Sequence, residues 1–226
     1  MRFSQLVKGK LLYRENLIRG KVEIWGREYW AHIPNNDKLE NLLVNGKSIY
    51  LFPTPDHTRK TSYAISLVDQ NGVLICIDTR LSNPLLKEYI KKNYPDANYH
   101  KGNTYKNFYF DSEITKNDIT TRIITRSVTS AEKGTAIYPE RISKRDQNQL
   151  ENLIDLQSKI FNTGLFYIIQ RSDISGFKAN KSIDPKYLIL LKNAIDSGVR
   201  INALKCDVTL EEIHITGKVP IITNDE

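Results

Sequence analysis

The chain has 226 residues, of which 40% are apolar and 26% charged, with two cysteines and a formal net charge of +7. That composition supports packed cores in one large domain or two small ones and excludes a disordered chain. Two isolated cysteines without CxxC or Cys/His spacing exclude a disulfide framework and a zinc module, and they predict buried, reduced thiols. No run approaches the roughly 18 apolar residues of a membrane span, and the N-terminal MRFSQLVKGK lacks the apolar core of a signal peptide, so a cytoplasmic protein with no membrane partner is expected.

Taken in order, residues 1–80 read as β structure. Short runs rich in Val, Ile, Tyr and Trp are separated by turn signals such as Gly26-Arg27, Asn45-Gly46 and Asn71-Gly72. Five or six such strands predict a small barrel of the OB type, with one helical turn over Leu39–Leu43. A helix follows, with Asn83 as its cap, Pro84 at the first helical position, and its end at Tyr94-Pro95. Tyr105–Ile114 and Thr120–Thr129 predict paired strands joined by Lys116-Asn117-Asp118, with Ala136–Tyr138 as a third. Ser143 and Asp146 have capping-box spacing for a long helix that Gly164 is expected to end. Leu165–Ile169 reads as a buried strand. Asp184-Pro185 opens another helix that stops at Gly198, and Val199–Leu204 and Ile213–Ile215 close the chain as a strand pair.

The expected fold is therefore α+β with two domains: an OB-like β barrel over 1–81 and an α/β domain with one mixed sheet over 82–226. The charge is uneven. Residues 1–80 and 81–150 each carry twelve Lys/Arg against eight Asp/Glu, whereas 151–226 carry nine against ten. An excess confined to the first two thirds suits a polyanion such as nucleic acid, and equally suits a solvated basic surface. Trp25, Trp30 and Tyr50 alternate with polar residues; they can pack a barrel core or offer a stacking platform to single-stranded bases, and core packing is favoured.

Several ordered segments carry a resemblance. HIPNNDKLENLLVNGKSIYLF is similar to a family stretch with a Pro-Asn-Thr-Gly-Arg core. LLYRENLIRGKVEIWG, ICIDTRLSNPLLKEYI, RSVTSAEKGTAIYPERISKRDQNQLENL and the run from Gln170-Arg171-Ser172-Asp173 to Ile183-Asp184-Pro185 fit the same template. Over essentially its whole length the chain resembles the sugar fermentation stimulation protein (SfsA) family. The resemblance implies DNA binding, a regulatory effect on sugar use, and an OB-type barrel followed by a domain like the PD-(D/E)XK nucleases.

Such a nuclease core needs carboxylates that hold a hard divalent cation, Mg2+ or Mn2+, and a lysine that helps deprotonate the attacking water. The resemblance puts Asp111 at the Asp position and Glu88 at the helix acid. Where the family has Glu-Val-Lys, this chain has Ile124-Thr125-Arg126, so one ligand is lost and the lysine becomes an arginine, a poor proton acceptor that still binds phosphate. Glu113, two residues from Asp111, is a candidate replacement ligand on the same strand face, and Glu140 is another nearby acid. The expected function is DNA binding with a degenerate nuclease motif; the alternative is a divalent-metal nuclease using Asp111, Glu88 and Glu113. Arg14, Arg19, Lys38, Arg59, Lys60, Arg126, Ser127, Thr129, Arg141 and Arg145 are the candidate nucleic-acid contacts, with Lys38 at the family's arginine. Asn35 is expected to shape its loop. Arg145 matches an Arg-Gly position whose glycine is here Asp146.

Overall fold

Alternation of buried and exposed side chains closes the barrel. The computed structural model describes residues 1–54, 60–159 and 161–223. Strands β1 (Val7–Arg14), β2 (Arg19–Ile24), β3 (Arg27–His32), β4 (Ser48–Pro53) and β5 (Tyr63–Gln70) pair in the order β3-β2-β1-β4-β5, and a short parallel pairing of Ala31 with Tyr63 joins β3 back to β5. Leu11, Val22, Ile24, Ile49, Leu51 and Ile65 point inward and are almost wholly buried. Strand β6 (Val73–Cys76) extends β5 as a hairpin. Leu39–Leu43 forms one hydrogen-bonded turn, with the Leu43 N–H donating to the Leu39 carbonyl at 2.9 Å, and its leucines plug the barrel.

Two tryptophans leave the core expected of them. Trp25 stands at the β2–β3 turn with φ +50° and is 79% exposed. Trp30 takes the outward phase of β3, because Ala31 takes the inward one, and lies under Arg19 and Lys21 at 4.7 and 4.8 Å. Tyr50 also leaves the barrel interior, but the second domain covers it.

A 3-10 turn over Thr79–Leu81, capped by the Asp78 carboxylate, leads into α1 (Ser82–Asn93). Asn83 is therefore not the cap but lies inside the first turn. Strand β7 (Asn98–Lys101), polar and largely exposed, is an edge strand without apolar alternation to announce it. The predicted strand over Tyr105–Ile114 is broken. A hairpin of β8 (Thr104–Tyr105) and β9 (Phe108–Tyr109) turns through Lys106 and Asn107, both at positive φ, and β10 starts only at Ser112 and runs to Lys116. Strand β11 (Ile119–Val128) follows, then the short strands β12 (Ala131–Glu132) and β13 (Thr135–Tyr138).

Helix α2 (Lys144–Lys159) starts where the Asp146 N–H donates to the Ser143 hydroxyl at 3.2 Å. Gly164 does not end it. It lies inside β14 (Asn162–Ile169), where a Cβ would meet the Phe166 ring at 3.1 Å and the Arg200 carbonyl at 3.2 Å. The chain closes with β15 (Gly176–Ala179), α3 (Pro185–Asp196), β16 (Arg200–Val208), β17 (Ile213–Val219) and β18 (Ile221–Ile222). Asp184 caps α3 by accepting the Tyr187 N–H at 3.0 Å.

The main sheet is mixed, in the order β17-β16-β14-β11-β10-β7, with β11, β14 and β16 parallel. Its two faces bury separate cores. Ile123, Phe166, Ile168 and Leu204 pack against α1. Ile124, Leu165, Tyr167 and Ile169 pack against α2 and α3. The fold is thus an N-terminal OB barrel followed by an α/β domain with a mixed sheet. Both cysteines are free and buried, and burial pushes the Cys76 thiol up to about 12. Among the described residues no helix is long and apolar enough to cross a membrane.

Candidate functional site

Strand β11 changes character along its length. Ile123 and Ile124 are 1% exposed and belong to the two opposite cores. The next three residues, Thr125, Arg126 and Ser127, open into a cavity of about 310 Å³ at the junction of the domains. Asp37 and Thr79 reach it from the barrel side, Ser82 and Asn83 from the first turn of α1, and Asp111 from the bend before β10. Tyr138, Arg141, Arg145 and Asp146 complete the wall from the end of β13 and the start of α2.

Arg126 is the cation at the base of this cavity. Its Nε and Nη2 reach Asp146 Oδ1 at 3.0 and 2.9 Å, and Nη1 donates to the Thr125 carbonyl at 2.9 Å. Asp146 Oδ2 accepts from the Tyr138 hydroxyl at 2.8 Å. Burial opposes the charge on Arg126, but Tyr138, Asp146 and other neighbours more than offset it, so its pKa is raised and it stays a cation. Such a group binds an anion and cannot accept a proton. Asp111 turns one carboxylate oxygen onto the Thr125 N–H at 2.7 Å.

Burial, followed by repulsion from Glu140, raises the Asp37 carboxyl to about 6; Arg141 at 3.8 Å opposes the shift. Two buried polar atoms on residues that line the cavity, Asn83 Oδ1 and Thr125 Oγ1, have no hydrogen-bond partner among the described residues.

A residue without an assigned role in the sequence reading fixes the junction. Gln170 is fully buried. Its Nε2 donates to the Cys76 and Asp78 carbonyls at 3.1 and 3.0 Å, at the end of the barrel. Its Oε1 accepts from the Ser82 hydroxyl at 3.2 Å and from the Ser127 hydroxyl. Only its place inside a quoted motif marked it in the sequence.

Of the candidate contacts, Arg126, Ser127, Arg141 and Arg145 share the cavity. The others lie elsewhere. Arg14 donates to the Lys38 carbonyl and to the Leu17 carbonyl at 3.0 Å, so it braces the loop. Arg19 is paired with Glu15, and Lys38 is exposed with Nζ 3.6 Å from Glu40. Lys60 is exposed in an irregular segment, and Arg59 lies outside the described residues. Thr129 is buried and hydrogen-bonds Glu140 at 3.4 Å. Asn35 shapes its loop, donating to the Ile77 carbonyl at 3.2 Å and accepting the Asp37 N–H at 2.8 Å.

The carboxylates proposed for a divalent cation are not brought together. Glu113 does not line the cavity; opposite Arg122 in the β10–β11 register, it forms an ion pair with that side chain, which stacks on Phe161 at 4.0 Å. The bend before Ser112 breaks the strand alternation that was to put Asp111 and Glu113 on one face. Glu88 binds the N-terminal ammonium at 2.8 Å. Glu140 accepts the Leu39 N–H at 3.2 Å and the Ser130 hydroxyl at 2.5 Å. Ile124 is in the core, and no group of three or more His, Cys, Asp or Glu side chains among the described residues is placed to hold a metal. Glu88, Glu113 and Asp111 therefore do not converge into the several oxygen ligands that a hard divalent cation takes.

Comparison with known proteins agrees with this architecture. The family model described as "Sugar fermentation stimulation protein RE domain" matches residues 80–212, and "SfsA N-terminal OB domain" matches residues 2–77. The sugar fermentation stimulation protein homolog of Desulforamulus reducens is 28% identical over 224 residues, covering 96% of this chain and 92% of its own. That of Aquifex aeolicus is 28% identical over 215 residues, covering 95% and 97%. The solved structure of Pyrococcus furiosus SfsA in complex with Ca2+ superposes with a TM-score of 0.88 at 28% identity, covering 98% of both chains. Matches to both domains, in the same order along the chain, show that this protein belongs to the sugar fermentation stimulation protein family.

Proposed function

We propose that this protein binds nucleic acid, DNA in preference, through the cavity between its domains, and holds a backbone phosphate there without cutting it. The observation that supports the reading is the set of three guanidinium groups on one open cavity, Arg141 and Arg145 exposed at its wall and Arg126 held at its base by Asp146. A guanidinium matches phosphate geometry. In this reading the second domain is a PD-(D/E)XK-like core kept for binding, in a cytoplasmic protein with a regulatory part in sugar metabolism. Titrating a labelled duplex while raising salt tests it. Three phosphate-contacting arginines give a log–log slope of about −3. A flat slope, or no binding at low salt, overturns the reading.

A second reading, a divalent-metal nuclease, rests on Asp111 facing the cavity and on the Ca2+ named in the Pyrococcus structure. Incubating DNA and RNA with Mg2+ or Mn2+ separates the two. Cleavage lost in Asp111→Ala supports the nuclease. Cleavage appearing only in the triple variant Ile124→Glu, Arg126→Lys, Asp146→Gly supports binding alone for the natural chain.

A further inference from the structure

A second cavity, of about 230 Å³, opens on the α1 side of the main sheet. It is separate from the site above, although both use the same strand. Thr121 and Ile123 line the second cavity, and Thr125 and Ser127 line the first, so the two lie at opposite ends of one face of β11. Helix α1 is shared in the same way. Ser82 and Asn83 belong to the first cavity, Tyr89 and Ile90 to the second.

The second cavity has an apolar floor and a basic rim. Ile90, Ile114, Ile123 and Phe166 give it aliphatic and aromatic surface. Three cations line it, Lys116, Arg200 and Lys218, and no Asp or Glu does. Arg200 Nη1 is anchored on the Thr121 hydroxyl at 3.1 Å, and the Lys116 ammonium lies 5.8 Å from the Tyr94 ring centre. Long cationic side chains often lie over apolar surface to shield it. Three converging on one concave floor, with no carboxylate among the lining residues, also make a counter-charge for an anion.

We propose that this cavity binds a small organic carboxylate whose body is aromatic or branched and apolar. The apolar body fills the floor, and the carboxylate meets Lys116, Arg200 and Lys218 at the rim. The volume is below the roughly 300 Å³ lower bound for drug-sized ligands, so a one- or two-ring acid fits and a nucleotide does not. A polynucleotide is disfavoured by the floor as well, which offers stacking surface only inside a concave recess. The site is independent of the nucleic-acid reading and stands if that reading fails.

The probes are 2-naphthoate and its neutral isostere 2-naphthamide, titrated calorimetrically into the full chain. The acid binds more tightly than the amide, by about tenfold, because exposed ion pairs contribute a few-fold each. The Lys116→Met, Lys218→Met double variant cuts that preference to the few-fold that Arg200 alone supplies. Both lysines are exposed, so an unaltered unfolding midpoint shows that the variant is folded. Equal binding of acid and amide, no binding at millimolar probe, or an acid preference undiminished in the double variant overturns the proposal.

Discussion

Arg126 Nη2 lies 2.9 Å from Asp146 Oδ1, and the resemblance read in the sequence implies other residues at both positions. That resemblance implies lysine at 126 and glycine at 146. A lysine facing a glycine leaves room beside the amine and a group able to exchange a proton. An arginine facing an aspartate closes that space with a fixed pair, each side chain only 15% exposed. Neither change suits the site alone. Asp146 without Arg126 leaves a carboxylate at the base of the cavity unpaired, and Arg126 without Asp146 leaves a buried guanidinium short of a partner. With Ile124 in the core beside it, the pair forms a charge clamp on the wall of the cavity.

This pairing predicts its own energetics. Removing one member of a largely buried ion pair strands the other, so Asp146→Ala costs about 3 kcal/mol of unfolding free energy. The Tyr138 hydroxyl loses its acceptor in the same variant. Replacing both members with apolar residues of similar size, as in Arg126→Met, Asp146→Leu, costs less than either single change. Urea unfolding measures all three; a neutral Asp146→Ala shows that the pair is not coupled.

Asp37 gives the cavity a pH response. Burial and then Glu140 raise its carboxyl to about 6, above its ordinary value. The folded state therefore binds this proton more tightly than the unfolded chain does, and this contribution to stability falls as pH rises from about 4 to 6. The same proton removes a negative charge from the cavity wall, where the proposed phosphate would sit. DNA binding should tighten as pH falls from about 7 to 5.5, and Asp37→Asn should bind at pH 7 as the wild type does at the lower pH. Anisotropy titrations at the two pH values check this; an Asp37→Asn protein with the wild-type pH dependence removes Asp37 from the account.

Much of the architecture was legible from local patterns. Strand alternation gave the barrel, and Ser143 and Asp184 marked two helix starts because a cap is decided within one turn of the chain. The site was less legible because its decisive contacts are distant. Arg126 meets Asp146 across 20 residues, and Gln170 meets Cys76 across 94. Glu113 lay at the right spacing from Asp111 to share its face, but the bend before Ser112 and the cross-strand attraction of Arg122 override that spacing. Trp30 was assigned by composition to the core, whereas strand phase decides which face a side chain takes.

Gln170 carries a prediction that follows from its four partners. Gln170→Leu keeps a side chain of similar size but leaves the Cys76 and Asp78 carbonyls and the Ser82 and Ser127 hydroxyls without this partner. Each buried group left unsatisfied costs about 1 kcal/mol or more, so the variant loses roughly 3–4 kcal/mol. Amide exchange should rise first at Cys76, whose N–H donates to the Gln170 carbonyl at 3.0 Å, and along the first turn of α1. Protection unchanged there means that the apolar contacts between the domains hold the junction by themselves.

Arg145 separates positioning from charge. It is exposed at the cavity wall and makes no hydrogen bond or ion pair among the described residues, so removing it should leave the fold intact. If it meets a phosphate, Arg145→Ala weakens duplex binding to a similar extent for every sequence and reduces the salt slope by about one. Arg145→Lys keeps the charge and restores most of the slope, because a single exposed phosphate contact depends mainly on charge. Arg126→Lys behaves differently: the ammonium lacks the fork that reaches Asp146 and the Thr125 carbonyl together, so affinity falls although the charge remains. Anisotropy titrations of the three variants at several salt concentrations read both effects. Equal behaviour of the two lysine substitutions would show that Arg126 acts as charge alone.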